Sequence, residues 1–293
     1  MPAAPARPRR SVLYMPGANV KALDKARSLP ADTLIFDLED AVAPDAKAQA
    51  RANVVAALAE GGYGGREIVV RINALSTPWG ADDLAAAVAA RPHAILTPKP
   101  DGATDIAAAD AALARSAAGA DIALWAMVET PKAILKIAEI AAAAETTRLA
   151  AFVMGVNDLA KEMQARQMPG RAAFLPALAL TVTAARAYGL AVIDGVFNDI
   201  EDAQGFEAVC RQGVELGFDG KTLIHPSQVD VANAIFAPPA QDVRYARAVI
   251  AAFADPQNVG KGVLKVDGKM TELLHLEIAK RVVTIADMIA AAP

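Results

Sequence analysis

The feature that most constrains this chain is a unit that recurs along it: a short apolar run, a polar residue at its end, then a helical stretch. The apolar runs lie at residues 11–15, 33–38, 67–72, 93–97, 122–128, 149–154, 190–193 and 220–224. Helical spacing of apolar side chains follows at 19–28, 45–60, 82–90, 104–117, 132–145, 171–188 and 201–216. Parallel strands buried on both faces read as such runs, and a parallel pair needs a helical crossover between its members. Eight such units in 293 residues predict an α/β fold, a closed (β/α)8 TIM barrel. An open doubly wound sheet would carry a G-x-G-x-x-G turn after an early strand, and the sequence has none.

The barrel is expected over residues 10–236, after a flexible N-terminal tail at 1–9 that is rich in Pro, Ala and Arg. Beyond Phe236 the Pro238-Pro239 pair interrupts the pattern, and residues 237–293 read as a C-terminal helical arm or lid. Within that arm, helices are expected at 241–253 and 271–290, with a polar, glycine-bearing connection at 255–268.

Several function classes fall away on composition. A net charge of -4 does not suit a nucleic-acid surface, which needs clustered basic residues. The longest uncharged run, 172–185, is interrupted by Pro176 and is too short to span a bilayer, so no membrane partner is expected. The single Cys210 can form no internal disulfide, and no apolar stretch of signal-peptide length follows the basic N-terminus. A cytoplasmic protein is the expectation.

In a barrel the residues that end the strands share one rim, and that rim is where such folds place their chemistry. Here it collects Tyr14; Asp37, Glu39 and Asp40; Arg71 and Asn73; Lys99; Glu129; Asp158; Asp194 and Asn198; and His225. Glu129 or Asp158 alone reads as a helix cap or a solvated charge. On adjacent strands they make a pair suited to Mg2+, which takes one or two carboxylates and keeps positions for water and substrate oxygens. Arg71 follows Ile68-Val-Val70 directly and would present a planar fork to a substrate carboxylate. Asp37 alternates with Phe36 and Leu38, so it faces inward and supports other side chains.

The motifs in order are Arg10-Ser-Val-Leu-Tyr-Met-Pro-Gly17 and Phe36-Asp-Leu-Glu-Asp-Ala-Val-Ala-Pro44, then Val70-Arg-Ile-Asn73 and Val128-Glu-Thr130. Gly155-Val-Asn-Asp-Leu159 and Gly217-Phe-Asp-Gly-Lys-Thr-Leu-Ile-His-Pro226 complete the series. Together they resemble the citrate lyase β-subunit family, which includes malyl-CoA and citramalyl-CoA lyases. The resemblance implies a Mg2+-dependent carbon-carbon lyase that cleaves or forms a 3-hydroxyacyl-CoA from an acyl-CoA and a 2-oxo acid. It implies Glu129 and Asp158 as metal ligands, and Arg71 with Glu129 at the carboxylate end of the substrate. Tyr14, Lys21 and Lys25, with the main chain around Ile224 and His225, are then the CoA-side contacts. A homo-oligomer, trimer or hexamer, with the C-terminal arm exchanged between subunits is also implied.

One position departs from the family pattern. The arm often carries a catalytic Asp in a Gly-Lys-Met-Ile-Asp setting, whereas this chain has Asp267-Gly-Lys-Met-Thr-Glu272, so the expected acid or base is Glu272, with Asp267 a second candidate. Three alternatives stay open: a citryl-CoA-type lyase subunit working on a carrier-protein thioester, a malyl-CoA thioesterase, and a non-catalytic acyl-CoA-binding protein.

Overall fold

The computed structural model describes residues 7–115 and 117–291. Eight parallel strands close into a barrel in sequence order, with β1 hydrogen-bonded to both β2 and β8. They are β1 Ser11–Pro16, β2 Thr33–Asp37, β3 Glu67–Arg71, β4 Ala94–Thr97, β5 Ala123–Val128, β6 Leu149–Met154, β7 Ala191–Asp194 and β8 Gly220–Leu223. Each falls on one of the eight expected runs.

Strand alternation sorts the side chains into two cores. Val12, Ile35, Val69, Leu96, Trp125, Met127, Val153 and Ile193 fill the barrel interior. Their neighbours Leu13, Leu34, Phe36, Val70, Ile95, Leu124 and Phe152 face the helices and join a larger core. The interior is therefore packed, and only the rim is open to polar chemistry. At the opposite end Arg9, expected in the flexible tail, is held by a two-toothed ion pair with Glu67 at 2.6 and 2.8 Å and lies over the Trp125 ring. Residues 1–6 of that expected tail lie outside the described residues.

Local signals explain most element boundaries. Asn19 caps the first helix, Val20–Lys25, by accepting from the Ala22 amide, and a tighter turn, Ala26–Ser28, completes the expected 19–28 segment. Thr130 caps Pro131–Leu135, whose proline occupies the first-turn position where its missing N–H costs nothing. The expected helix at 132–145 is interrupted at Lys136 and resumes as Ile137–Ala142. A short helix, Val156–Glu162, follows β6 and carries Asp158 in its first turn.

Between barrel and helices sits a buried ionic group. Asp194 accepts from Arg171 at 2.7 Å and from Lys221 at 2.9 Å, and the Lys221 ammonium also donates to the Gly195 carbonyl. Burial alone would raise the Asp194 carboxyl, but the two cations overcome it and hold it below the usual carboxylate range. Cys210 lies in the same layer, its thiol pushed up to about 12 by burial, and is therefore unreactive.

A second compact unit begins at Ala237, immediately after the last barrel helix. It contains the helices Ala240–Ala254 and Leu273–Ala291. The expected connection at 255–268 and the start of the expected last helix are instead an antiparallel hairpin, β9 Val263–Val266 and β10 Lys269–Glu272. Asp267 and Gly268, at φ 47° and 80°, form its two-residue turn. An Asp-Gly pair between alternating apolar residues signals this turn, and it outweighs the polarity that read as loop. Glu272 thus ends a strand and precedes the helix.

Candidate functional site

The rim residues of β1 to β6 converge around one carboxylate cluster. Arg71, at the end of β3, lies 7% exposed inside the barrel mouth. Its Nε and Nη2 donate to the two oxygens of Asp37, each at 2.6 Å, and Nη1 lies 2.9 Å from Glu39 and 3.4 Å from Asp40. The Tyr14 ring lies beneath the guanidinium, 4.9 Å from its carbon. Burial would raise the Asp37 carboxyl, yet Arg71 holds it below the usual range, so the pair stays ionised. The fork expected to clamp a substrate is engaged with Asp37, and only its Nη1 edge is directed to other groups.

The turn after β2 is fixed from below. Asp37 accepts from the amides of Glu39 and Ala41 at 2.9 and 3.1 Å. The buried Lys47 ammonium donates to the carbonyls of Leu38 and Glu39 at 2.9 and 2.7 Å, and Asn73 also donates to Leu38. This network sets Glu39 at the mouth, where its Oε2 is buried without a hydrogen-bond partner despite the nearby Arg71 charge.

Glu129 follows β5 directly and is 1% exposed. Burial and the neighbouring Glu39 push its carboxyl up to about 8, against the pull of Lys99 and Arg71. Its Oε1 accepts the Lys99 main-chain N–H at 2.9 Å. On the other side lies Gly155, where a side-chain Cβ would fall 2.6 Å from Glu129 Oε2. The glycine of Gly155-Val-Asn-Asp158 is therefore the space that Glu129 fills. Asp158 lies in the first turn of the helix after β6, its Oδ1 3.6 Å from the Lys99 ammonium, which is itself 3.2 Å from Glu39.

Sequence reasoning noted Lys99 as a strand end and assigned it nothing, although Pro98-Lys99-Pro100 immediately after a strand marks a constrained main chain. The structure makes it the residue that touches Glu39, Glu129 and Asp158. Lys21 and Lys25 are exposed on the first helix. Ile224 and His225 are exposed after β8, with both amides donating to the Gln228 side chain at 3.0 and 3.3 Å. His225 Nδ1 is engaged with Ser227, which is the turn-forming role of a residue before proline. Glu272 belongs to the second unit, exposed, its amide donating to His275.

A hard divalent cation fits this chemistry. The donors are carboxylate oxygens, one of them on Glu39 lacks a hydrogen-bond partner, and Gly155 leaves room for Glu129. Among the described residues no three His, Cys, Asp or Glu side chains are grouped to hold a metal. Two protein carboxylates with remaining positions for water and substrate oxygens is the arrangement Mg2+ takes. A cavity of about 830 Å3 lies elsewhere, lined by Met168, Phe174, Phe197 and Val209 with Arg171 and Lys221. It includes none of Arg71, Glu129 or Asp158, and its Arg171 and Lys221 are already bound to Asp194.

Comparison with known proteins follows the same outline. The family pattern of HpcH/HpaI aldolase/citrate lyase matches residues 10–226. The (3S)-malyl-CoA thioesterase of Cereibacter sphaeroides (strain KD131 / KCTC 12085) is 47% identical over 98% of this chain and 97% of its own. The citrate lyase subunit beta of Escherichia coli (strain K12) is 35% identical over 96% of this chain and 94% of its own. The crystal structure of protein CitE from Mycobacterium tuberculosis, in complex with magnesium, acetoacetate and coenzyme A, superposes with a TM-score of 0.74 at 27% identity. That match covers 97% of this chain and 99% of that one.

Proposed function

This chain belongs to the HpcH/HpaI aldolase/citrate lyase family, and from that premise we propose that it is a Mg2+-dependent enzyme acting on a malyl-CoA-type 3-hydroxyacyl-CoA thioester. The observation that carries the reading is the buried Glu129, next to Asp158 and flanked by the cations Arg71 and Lys99. Glu129 and Asp158 would hold Mg2+, which when bound supplies a Lewis acid that polarises substrate oxygens. The magnesium in the CitE complex supports the choice of ion.

The substrate class is common to two reactions that differ in the bond broken. In hydrolysis, water adds to the thioester carbon, the C–S bond breaks, and CoA leaves with a proton on sulfur. In lyase cleavage, the 3-hydroxyl loses its proton, the carbon-carbon bond breaks, and the acyl-CoA fragment regains a proton at carbon. Both build negative charge on the thioester oxygen, and cations fixed at the rim stabilise such charge. Identity of 47% over nearly the whole length to a (3S)-malyl-CoA thioesterase favours hydrolysis. The 35% identity to citrate lyase β keeps carbon-carbon cleavage as the second reading.

In either case Asp37 keeps Arg71 charged and oriented, and the Nη1 edge of Arg71 meets the free carboxylate of the substrate. Tyr14, Lys21, Lys25 and the main chain at Ile224 and His225 form the CoA side. Glu272 carries the proton. An exchanged arm in a homo-oligomer is supported by the apolar residues exposed on the second unit, among them Met270, Leu273, Leu274 and Ile278. The single cysteine supports a cytoplasmic setting.

The test is mass spectrometry of products from malyl-CoA and citramalyl-CoA with Mg2+. Malate or citramalate with free CoA identifies the hydrolase. Acetyl-CoA with glyoxylate from malyl-CoA, or with pyruvate from citramalyl-CoA, identifies the lyase. Turnover only of a carrier-protein thioester, or binding without turnover, overturns the reading.

A further inference from the structure

The Lys99 main chain is held in a conformation that its sequence disfavours. It has φ 50°, in the left-handed region that a lysine rarely adopts, and it precedes Pro100, which biases it toward extended backbone. Such a conformation persists where surrounding contacts hold it, and it marks sites of function. The contact here is the Lys99 N–H to Glu129 Oε1 at 2.9 Å. The side chain then turns back over the rim, its ammonium 3.2 Å from Glu39 Oε1 and 3.6 Å from Asp158 Oδ1. One residue thereby touches three carboxylates that follow three different strands, β2, β5 and β6.

Charge balance gives this contact a consequence. Asp37, Glu39, Asp40, Glu129 and Asp158 face Arg71, Lys99 and the buried Lys47, so with all groups ionised the cluster carries two uncompensated negative charges. A divalent ion cancels two. Without Lys99 there would be three, and Arg71, whose fork is engaged by Asp37, would be left as the fixed positive charge beside the ion. We propose that Lys99 is a tethered cation that shares Glu39 and Asp158 with the divalent ion and so sets how tightly the ion is held, while its main chain presents Glu129. The inference rests on the reading that Glu129 and Asp158 bind the metal.

A lysine placed to repel an ion opposes binding, whereas a merely structural lysine supports it, so the sign of the effect separates the two roles. The Lys99 side chain is 35% exposed, and solvent screens the repulsion without removing it. The experiment is calorimetric titration of MgCl2 into the wild-type protein, Lys99→Met, Lys99→Gln, Lys99→Arg and Glu129→Gln, with circular dichroism to verify folding. The neutral Lys99 variants are expected to bind Mg2+ roughly tenfold tighter, with Lys99→Arg close to wild type and Glu129→Gln weakened. In chelator the neutral variants should also melt below wild type, with Mg2+ restoring more stability to them than to wild type. Lys99→Gln keeps a polar chain and decides the matter if Lys99→Met does not fold. Equal or weaker binding in the neutral variants, with Glu129→Gln weakened, overturns the role of Lys99 and leaves the metal site standing. Unchanged binding in Glu129→Gln puts the ion elsewhere, and both readings fall.

Discussion

Gly155 and Glu129 occupy neighbouring strand ends in direct contact: a Cβ on Gly155 would lie 2.6 Å from Glu129 Oε2 and closer still to its Cβ. The glycine is needed for space, with the carboxylate as its occupant. Gly155→Ala should therefore turn Glu129 away from Asp158 and weaken Mg2+ binding by about 10- to 100-fold, as displacement of a ligand's supporting shell does. Calorimetry checks this, and wild-type affinity in that variant would remove Glu129 from the metal site.

Burial and Glu39 push the Glu129 carboxyl up to about 8, and burial also raises Glu39. Glu129 then binds more protons in the folded than in the unfolded chain from the usual carboxylate range up to about pH 8, and Glu39 adds to this in the same direction. Stability of the metal-free protein accordingly falls as pH rises through that window. Asp37 and Asp194, both depressed, lose their contribution only at lower pH and do not oppose it there. Melting in chelator should show a midpoint that declines from about pH 5 to about pH 8, with the slope reduced in Glu129→Gln. Near pH 7, Mg2+ binding should release about one proton from Glu129, measurable as a buffer-dependent calorimetric enthalpy. A midpoint that rises across the window would contradict the assignment.

Arg71→Ala is expected to do more than remove a substrate contact. It strands Asp37 and Glu39 as buried acids, and breaking a buried pair in this way costs about 3 to 5 kcal/mol. Arg71→Lys keeps a charge without the planar fork, and its rate should fall by about 10^2 to 10^3 while much of the fold stability is retained. Urea unfolding and steady-state rates on both variants separate the two contributions.

Glu272→Gln removes one carboxylate of the second unit and leaves the rim residues unchanged. Its kcat should drop by about 10^2 to 10^4, the usual contribution of a positioned acid or base, with Mg2+ affinity unchanged. Full activity in Glu272→Gln would exclude it as the proton carrier.

Alternation and spacing in the sequence were enough for the barrel. Eight apolar runs separated by helical stretches leave a parallel sheet as the only way to bury both faces, and strand ends then name the rim residues in advance. The same logic brought Tyr14, Asp37, Arg71, Glu129 and Asp158 to one mouth. It was weaker where one residue had two local signals. Polarity at 255–268 pointed to a loop and the spacing from 271 to a helix, while Asp267-Gly268 specified a tight hairpin turn, and cross-strand hydrogen bonds decided for the turn.

What only the tertiary structure decided is how those residues divide the work. Nothing in one dimension states that Arg71 gives its fork to Asp37, or that Gly155 is shaped around Glu129, because both depend on distances between chain segments far apart in sequence. Lys99 is the clearest case. A lysine between two prolines after β4 has no helical or strand period to reveal it, and its importance arises only because closure of the barrel brings Glu39, Glu129 and Asp158 within reach of one side chain and one amide. Local sequence sets which residues stand at the rim, and the electrostatics of their convergence is a property of the closed fold.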